Sequence, residues 1–237
     1  MGFYKIVARN LETQETGFVV SAIITIATTK GGAGKTTIAR LILSILALRG
    51  FRMAAVDADL NRTLTDWVST AARMYGITVH HELDESKIVS LITEFEKQFD
   101  VVIVDTAGAP TQATVFAIGC ADLVLVPIQP SSADVVEAIK TFNLIRSASQ
   151  MLKREIRARA VLMGFQPGTN IAEHIEKEIA KAGLPVMDAK LNRLVALQEM
   201  SFTGKPPLSG TPAAYASAFV DEIIGLGAVP EPRKLAS

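Results

Sequence analysis

The sequence predicts an α/β protein: a doubly wound, mostly parallel sheet with helices on both faces. Two observations predict it. Short β-branched apolar runs alternate with longer amphipathic stretches, the pattern of βα units. A glycine-rich segment, TTKGGAGKTT at 28–37, also falls between the first apolar run and the first amphipathic one. Most of the runs are continuously apolar, as parallel strands covered on both faces must be.

Taken in order, a strand is expected at 22–28 and a helix at 35–48, with Gly50 where a helix end needs a residue tolerant of positive φ. A strand at 53–57 and a helix at 63–74 follow, then a strand at 77–81 and a helix at 85–98. Strands at 101–105 and 123–128 precede a helix at 133–149, with Ser132 at its N-cap. A strand at 158–163 leads to a helix at 171–181, with Asn170 as N-cap and Gly183 beyond its end. A last strand at 185–187 and helices at 193–200 and 212–226 complete the pattern. We expect one domain over 21–228, an N-terminal extension at 1–20 and a frayed tail at 229–237.

Composition bounds the function. The 237 residues are 49% apolar and 20% charged, enough for one large core. Lys plus Arg (24) equals Asp plus Glu (24), so any nucleic-acid binding must come from a local patch rather than from overall charge. The single cysteine, Cys120, excludes an intramolecular disulfide and a Cys-based zinc or iron–sulfur site, which points to a reducing cytoplasm. The apolar run at 17–28 is shorter than the ~20 residues a bilayer span needs, so no stable membrane anchor is expected. Glu12 and Glu15 sit where a signal peptide would need its apolar stretch.

The segment 28–37 has the context of a phosphate-binding loop. Gly31, Gly32 and Gly34 let backbone N–H groups turn toward phosphate oxygens, and the helix opening at Lys35 aims its dipole at the same anion. Lys35 is placed to reach β- and γ-phosphates and the Thr36 hydroxyl to reach Mg2+. The loop departs from the common pattern in having Thr29 at the first glycine position and a second lysine, Lys30. Three acids, Asp57, Asp59 and Asp105, fall at strand ends on the edge where open α/β sheets bind ligands. Acids there can hold Mg2+ or its waters and can position an attacking water.

These segments resemble the ParA/MinD group of deviant Walker ATPases. The matching pieces are KGGAGKTT (30–37), VDADLN (56–61), VVIVDTAG (101–108) and VLVPIQPSSADV (124–135). Within that group the chain resembles small plasmid-partition ParA proteins and the ParA-like accessory ATPase of T-DNA transfer, whose DADxNxxLTxW pattern looks like 57–67 here. The resemblance implies a nucleotide-sandwich homodimer that forms on ATP with Mg2+. It also implies sequence-independent binding to double-stranded DNA, a nucleoid-associated cytoplasmic location, and weak hydrolysis stimulated by a ParB-like or other adaptor. The nucleotide contacts carried over are Lys30, Gly31, Gly32, Ala33, Gly34, Lys35, Thr36 and Thr37. By the same resemblance Lys30 crosses to the partner's phosphates, Asp59 orients water, and Thr36 and Asp105 hold the Mg2+ shell. Gln129, Pro130, Ser131 and Asp134 fall in a loop near the dimer interface, and 164–169 falls where relatives contact adenine. Two departures concern partner coupling and switching: Leu60-Asn61 stands for the usual Pro-Gln, and Ala107-Gly108 for the usual Pro-Pro.

Ten basic residues face five acids over 140–193, among them Lys153, Arg154, Arg157 and Arg159, which we single out as a DNA face. A solvated surface laced with Glu–Lys pairs reads equally well from the residues alone. His80 and His81 have no Cys or second acid at ligand spacing, so no metal site is expected there; Cys120 and Trp67 read as core. The expected function is a ParA-like positioning switch for plasmid or chromosomal DNA. The alternative is an accessory ATPase that recruits a DNA-transfer or other large complex to its cellular position. A MinD-like membrane cycle is disfavoured because 228–237 contains two prolines and cannot form the required amphipathic helix.

Overall fold

A computed structural model describes residues 21–192 and 195–230; the expected extension at 1–20, most of the tail, and Arg193 lie outside the described residues. The strands are β1 (Ala22–Ile26), β2 (Met53–Ala58), β3 (Thr78–His81), β4 (Val101–Thr106), β5 (Leu123–Ile128), β6 (Arg157–Phe165) and β7 (Leu191–Asn192). They form one parallel sheet in the order β3-β2-β4-β1-β5-β6-β7. The helices are α1 (Lys35–Leu48), α2 (Thr63–Ser69), α3 (Glu85–Gln98), α4 (Gln112–Cys120), α5 (Ser132–Leu152), α6 (Asn170–Lys181), α7 (Val195–Thr203) and α8 (Gly210–Gly225).

The sheet separates two cores. Helices α1, α2, α7 and α8 pack on one face around Ile38, Leu41, Trp67 and Phe219, while α3, α4, α5 and α6 pack on the other around Ile88, Ile118, Ile145 and Ile175. Strands β1, β2, β4 and β5 are buried throughout, whereas β3 alternates exposed and half-buried at the sheet's edge. Every parallel strand therefore delivers its following loop to one carboxyl edge, and the order reverses around β1, which lies between β4 and β5.

Several elements differ from expectation for local reasons. Helix α4 has no periodic signal because it is apolar and buried around most of its circumference. The expected helix at 63–74 stops at Ser69, where the Ser69 and Thr70 hydroxyls bond back to the Thr65 and Asp66 carbonyls, and a 3-10 turn follows at Arg73–Tyr75. The N-caps of α5 and α6 are Ser131 and Thr169, not Ser132 and Asn170; their hydroxyls accept from the Asp134 and Ala172 N–H groups. Segment 185–187 contributes only an isolated bridge, Val186 to Ala160, closed by Ala160 N–H to the Pro185 carbonyl and Met187 N–H to the Ala160 carbonyl; pairing with β6 resumes at β7 with a register shift. Gly50 and Gly183 adopt positive φ as expected.

Trp67 joins three helices: its indole Nε1 donates to the Met200 carbonyl at 2.6 Å, and the Arg40 guanidinium lies 5.6 Å from its ring centroid. Trp67→Phe should cost about 0.5–1.5 kcal/mol by removing this buried bond, which leaves the Met200 carbonyl only the Gly204 N–H. Chemical denaturation followed by circular dichroism checks it, and an unchanged midpoint would remove Trp67 from this role.

Candidate functional site: a phosphate loop and its acidic strand ends

Residues 27–34 leave β1 at the carboxyl edge and turn directly into α1. Gly34 is the N-cap of α1 at φ 104, a conformation that L side chains rarely adopt, and its added Cβ would lie 2.8 Å from Met163 Cε. It offers no side-chain cap, so the first-turn N–H groups of α1 keep no side-chain acceptor at that position. Lys35 is 6% exposed and folds across the loop, its Nζ donating to the Lys30 carbonyl at 3.4 Å. Burial lowers the pKa of its ammonium, and the charges of Asp105 and Asp59 oppose that shift. Ala33 is buried, while Gly31 and Gly32 are exposed and Thr36 and Thr37 half-buried.

The three acids separate into different jobs. Asp57 and Asp105 are register partners on β2 and β4. Asp57 Oδ2 accepts from the Thr65 N–H at 2.8 Å and the Thr65 hydroxyl at 2.9 Å, and its Oδ1 accepts from the Asp59 N–H, so it fastens α2 to the strand end. Asp105 accepts the Thr36 hydroxyl through Oδ2 at 2.7 Å, but its buried Oδ1 has no hydrogen-bond partner among the described residues. Burial pushes its carboxyl up to about 7, opposed by the Thr36 bond and reinforced by Asp57. Asp59 is the first residue past β2, and its Oδ1 accepts from both the backbone N–H and Nδ2 of Asn61 at 2.9 Å.

Lys30 has a different partner from Lys35. Its Nζ lies 2.6 Å from Asp134 Oδ2 in the first turn of α5, with Lys30 42% and Asp134 3% exposed. Three further bonds tie α5 and its leading loop to the phosphate loop: Gln129 Nε2 donates to the Gly32 carbonyl, the Thr29 hydroxyl to Glu137, and the Thr29 N–H to Thr141 Oγ1. An open groove of about 550 Å³ runs beside Lys30, between Gly31 and Val136. On the opposite side the loop after β4 leans on the phosphate loop: a Cβ at Gly108 would sit 2.6 Å from Gly31 Cα. Sequence reading registers Gly108 only as a departure, because nothing local announces a contact 77 residues back along the chain.

An unpartnered buried carboxylate oxygen beside a threonine hydroxyl, a buried lysine and an uncapped helix start suit a phosphate group with a divalent cation. Segment 164–169, the end of β6 and the turn after it, lies on the same edge, and the preceding Met163 side chain lies against Gly34.

The basic residues do not join this site. Arg157 opens β6 at the sheet's amino edge, where its guanidinium donates to the Asp122, Leu226 and Gly227 carbonyls. Arg154 donates to the Gly119 and Ala121 carbonyls and so holds the end of α4, and Arg159 Nη1 donates to the Ala158 carbonyl. Lys153 is exposed at the C-cap of α5. Lys140 and Lys190 pair with Glu137 and Glu176, so part of this surface is the Glu–Lys lacework that the residues alone allowed.

Fold and site together define a P-loop nucleotide-binding protein of the two-lysine kind. The chain belongs to the VirC1 family of ParA-like ATPases: the family model described as VirC1 protein matches residues 21–216. It is 30% identical to Protein ParA of Rhizobium radiobacter over 171 residues, covering 71% of this chain and 77% of that one. It is 33% identical to Protein virC1 of Rhizobium rhizogenes over 128 residues, 52% of this chain and 55% of that one. Among solved structures, the septum site-determining protein MinD of Pyrococcus horikoshii, complexed with Mg-ADP, superposes with a TM-score of 0.72 at 15% identity, covering 87% of this chain and 97% of that one.

Two outcomes follow from the geometry. A carboxyl whose pKa is raised on folding loses stability for the fold as pH climbs from about 4 to 7, because the folded state holds the proton longer. Asp105→Asn should therefore stabilise the nucleotide- and metal-free protein at pH 8 by about 1–3 kcal/mol, and far less at pH 4; thermal melts at both values test it. Gly108→Ala should push against the Gly31 backbone and weaken binding of a fluorescent adenine nucleotide about tenfold or more, whereas an unchanged affinity would mean that the loop moves aside freely.

Proposed function

We propose that this protein is an ATP- and Mg2+-dependent dimerising switch that binds duplex DNA without sequence preference and positions plasmid or chromosomal DNA. One observation carries the reading: two lysines five residues apart have different settings, Lys35 buried at the start of α1 and Lys30 half-exposed against α5. One lysine serves the protomer's own phosphates; a second on the outer side serves a facing copy. The backbone of 30–37 and the Lys35 ammonium would hold the phosphates, and Thr36 and Asp105 the Mg2+, which neutralises charge developing between the β- and γ-phosphates. Asp59 orients the attacking water, and 164–169 flanks the adenine. Residues 21–228 act as one ATPase domain, with 1–20 and 229–237 as appendages.

Weak intrinsic turnover, stimulation by a ParB-like or other adaptor, and a nucleoid-associated cytoplasmic location complete the reading. Among the described residues no helix is long and apolar enough to cross a membrane. The DNA surface belongs to exposed Lys153, Arg146, Lys177 and Lys181 rather than to Arg154 and Arg157, whose guanidinium groups hold backbone carbonyls. A second reading, an accessory ATPase that recruits a DNA-transfer complex, is favoured by the match to the VirC1 family and by the DADLNRTLTDW stretch at 57–67.

Sedimentation velocity with ATP and with ADP, each with Mg2+, tests the switch. Wild type should dimerise with ATP only, and Lys30→Ala should stay monomeric with either; equal dimerisation on ADP would sink the reading. In filter binding, a Lys153→Ala, Arg146→Ala double variant should lose about tenfold in affinity for any duplex and flatten the salt dependence. Identical salt slopes for variant and wild type would place the DNA face elsewhere.

A further inference from the structure

The segment after β2 is held more firmly than its exposure suggests. Leu60 is 77% exposed, and Arg62 carries a left-handed φ of 54 without a side-chain cap, so the turn gains little from packing. Instead, hydrogen bonds converge on Asp59. Its N–H donates to Asp57 Oδ1, its carbonyl accepts from the Arg62 N–H at 3.1 Å, and its Oδ1 takes both donors of Asn61. Among the described residues, the bond to Asp59 that comes from outside the segment and its strand is His81 Nε2 to the Asp59 carbonyl at 3.0 Å. A carbonyl only accepts, so the ring must carry its proton on Nε2.

Strand β3 makes this reach possible. Its register sets His81 beside Asp57, and the Glu82 N–H donates to the Asp57 carbonyl, extending the ladder past the strand end. Alternation along the strand sends His80 to the other face, where it lies 3.9 Å from Glu82. With the Asp59 peptide plane held by His81 and its Oδ1 held by Asn61, Oδ2 is the carboxylate oxygen left without a hydrogen bond among the described residues.

We propose that His81, together with Asn61, is a positioning residue for ATP hydrolysis: it fixes the backbone of Asp59 so that Oδ2 is aimed at the attacking water. The inference rests on the reading of Asp59 given above and adds a residue from a different strand. His81 acts through the Asp59 backbone, so its loss slows the chemical step without weakening ATP binding. Misplacing a catalytic group by about 1 Å costs on the order of a hundredfold, and loss of one of several restraints should cost less.

The test compares His81→Phe, which keeps the ring's bulk and removes the donor, with His81→Gln, which retains one. With ATP and Mg2+, His81→Phe should lower kcat roughly tenfold and leave KM for ATP and the melting temperature near wild type. His81→Gln should recover much of the rate, and in an Asp59→Ala background His81→Phe should cost nothing more. Wild-type turnover by His81→Phe, an equal loss in the Asp59→Ala background, or a loss matched by a lowered melting temperature would each overturn the role of His81. Failure of the underlying reading has a different signature: wild type that does not hydrolyse ATP, or Asp59→Ala with full activity, overturns the assignment of Asp59 and the role of His81 with it.

Discussion

The hydrogen bond from the Thr36 hydroxyl to Asp105 is the constraint around which the site is arranged. It joins the first turn of α1 to the end of β4, and it sits where two buried acids, Asp57 and Asp105, are side by side in adjacent strands. Two carboxylates in that position are costly in a dry interior unless each is supplied with donors. Asp57 is supplied in full by Thr65 and the Asp59 N–H. Asp105 is supplied on one oxygen only; burial raises its pKa, and the single Thr36 bond opposes that shift only in part. The fold thus carries a local cost at Asp105 that a cation would relieve, as functional sites commonly do.

Around this bond the phosphate loop is clamped from two sides by elements with different freedom. On one side Gly108 presses backbone against backbone on Gly31, a contact with no slack for even a methyl group. On the other side α5 is attached by side chains: Thr29 to Glu137 and Thr141, Gln129 to Gly32, and Lys30 to Asp134. A backbone contact transmits any shift of the loop directly, whereas side-chain bonds can be exchanged one at a time. The Ala107-Gly108 departure from the family's Pro-Pro therefore has a physical consequence, since the bulkier residue could not stand so close.

Legibility in the sequence follows the range of each interaction. The central strands were legible because a parallel strand buried on both faces has to be apolar without interruption, and the phosphate loop because its parts lie within ten consecutive residues, 28–37. Helix α4 was not, since a helix buried around its circumference has no polar face to set a period. The N-caps of α5 and α6 were displaced by one residue because hydroxyl or amide side chains stand next to each other at 131–132 and 169–170, and only backbone φ decides between them. Asp57 and Asp59 looked equivalent from spacing, yet the strand end turns between them and gives one to α2 and the other to the edge. Contacts such as His81 to Asp59, Gly108 to Gly31, and Arg157 to the end of α8 join residues far apart in the chain, and composition carries no trace of them.

The two lysines differ in what their departure would leave behind. Lys35 is buried among Asp105 and Asp59, and its removal would strand negative charge in a low-dielectric site. Lys30 is 42% exposed, and its partner Asp134 keeps a hydrogen bond from the Ser131 hydroxyl whether or not the lysine stays. When the pair breaks, the half-exposed ammonium recovers its solvation from water, while the buried Asp134 carboxylate relies on the Ser131 hydroxyl. Lys30 is therefore held firmly enough to be ordered and loosely enough to exchange Asp134 for the stronger charge of a phosphate. The same exchange would remove one of the bonds by which α5 is fastened to the loop, so a change of partner at Lys30 alters the attachment of a 21-residue helix.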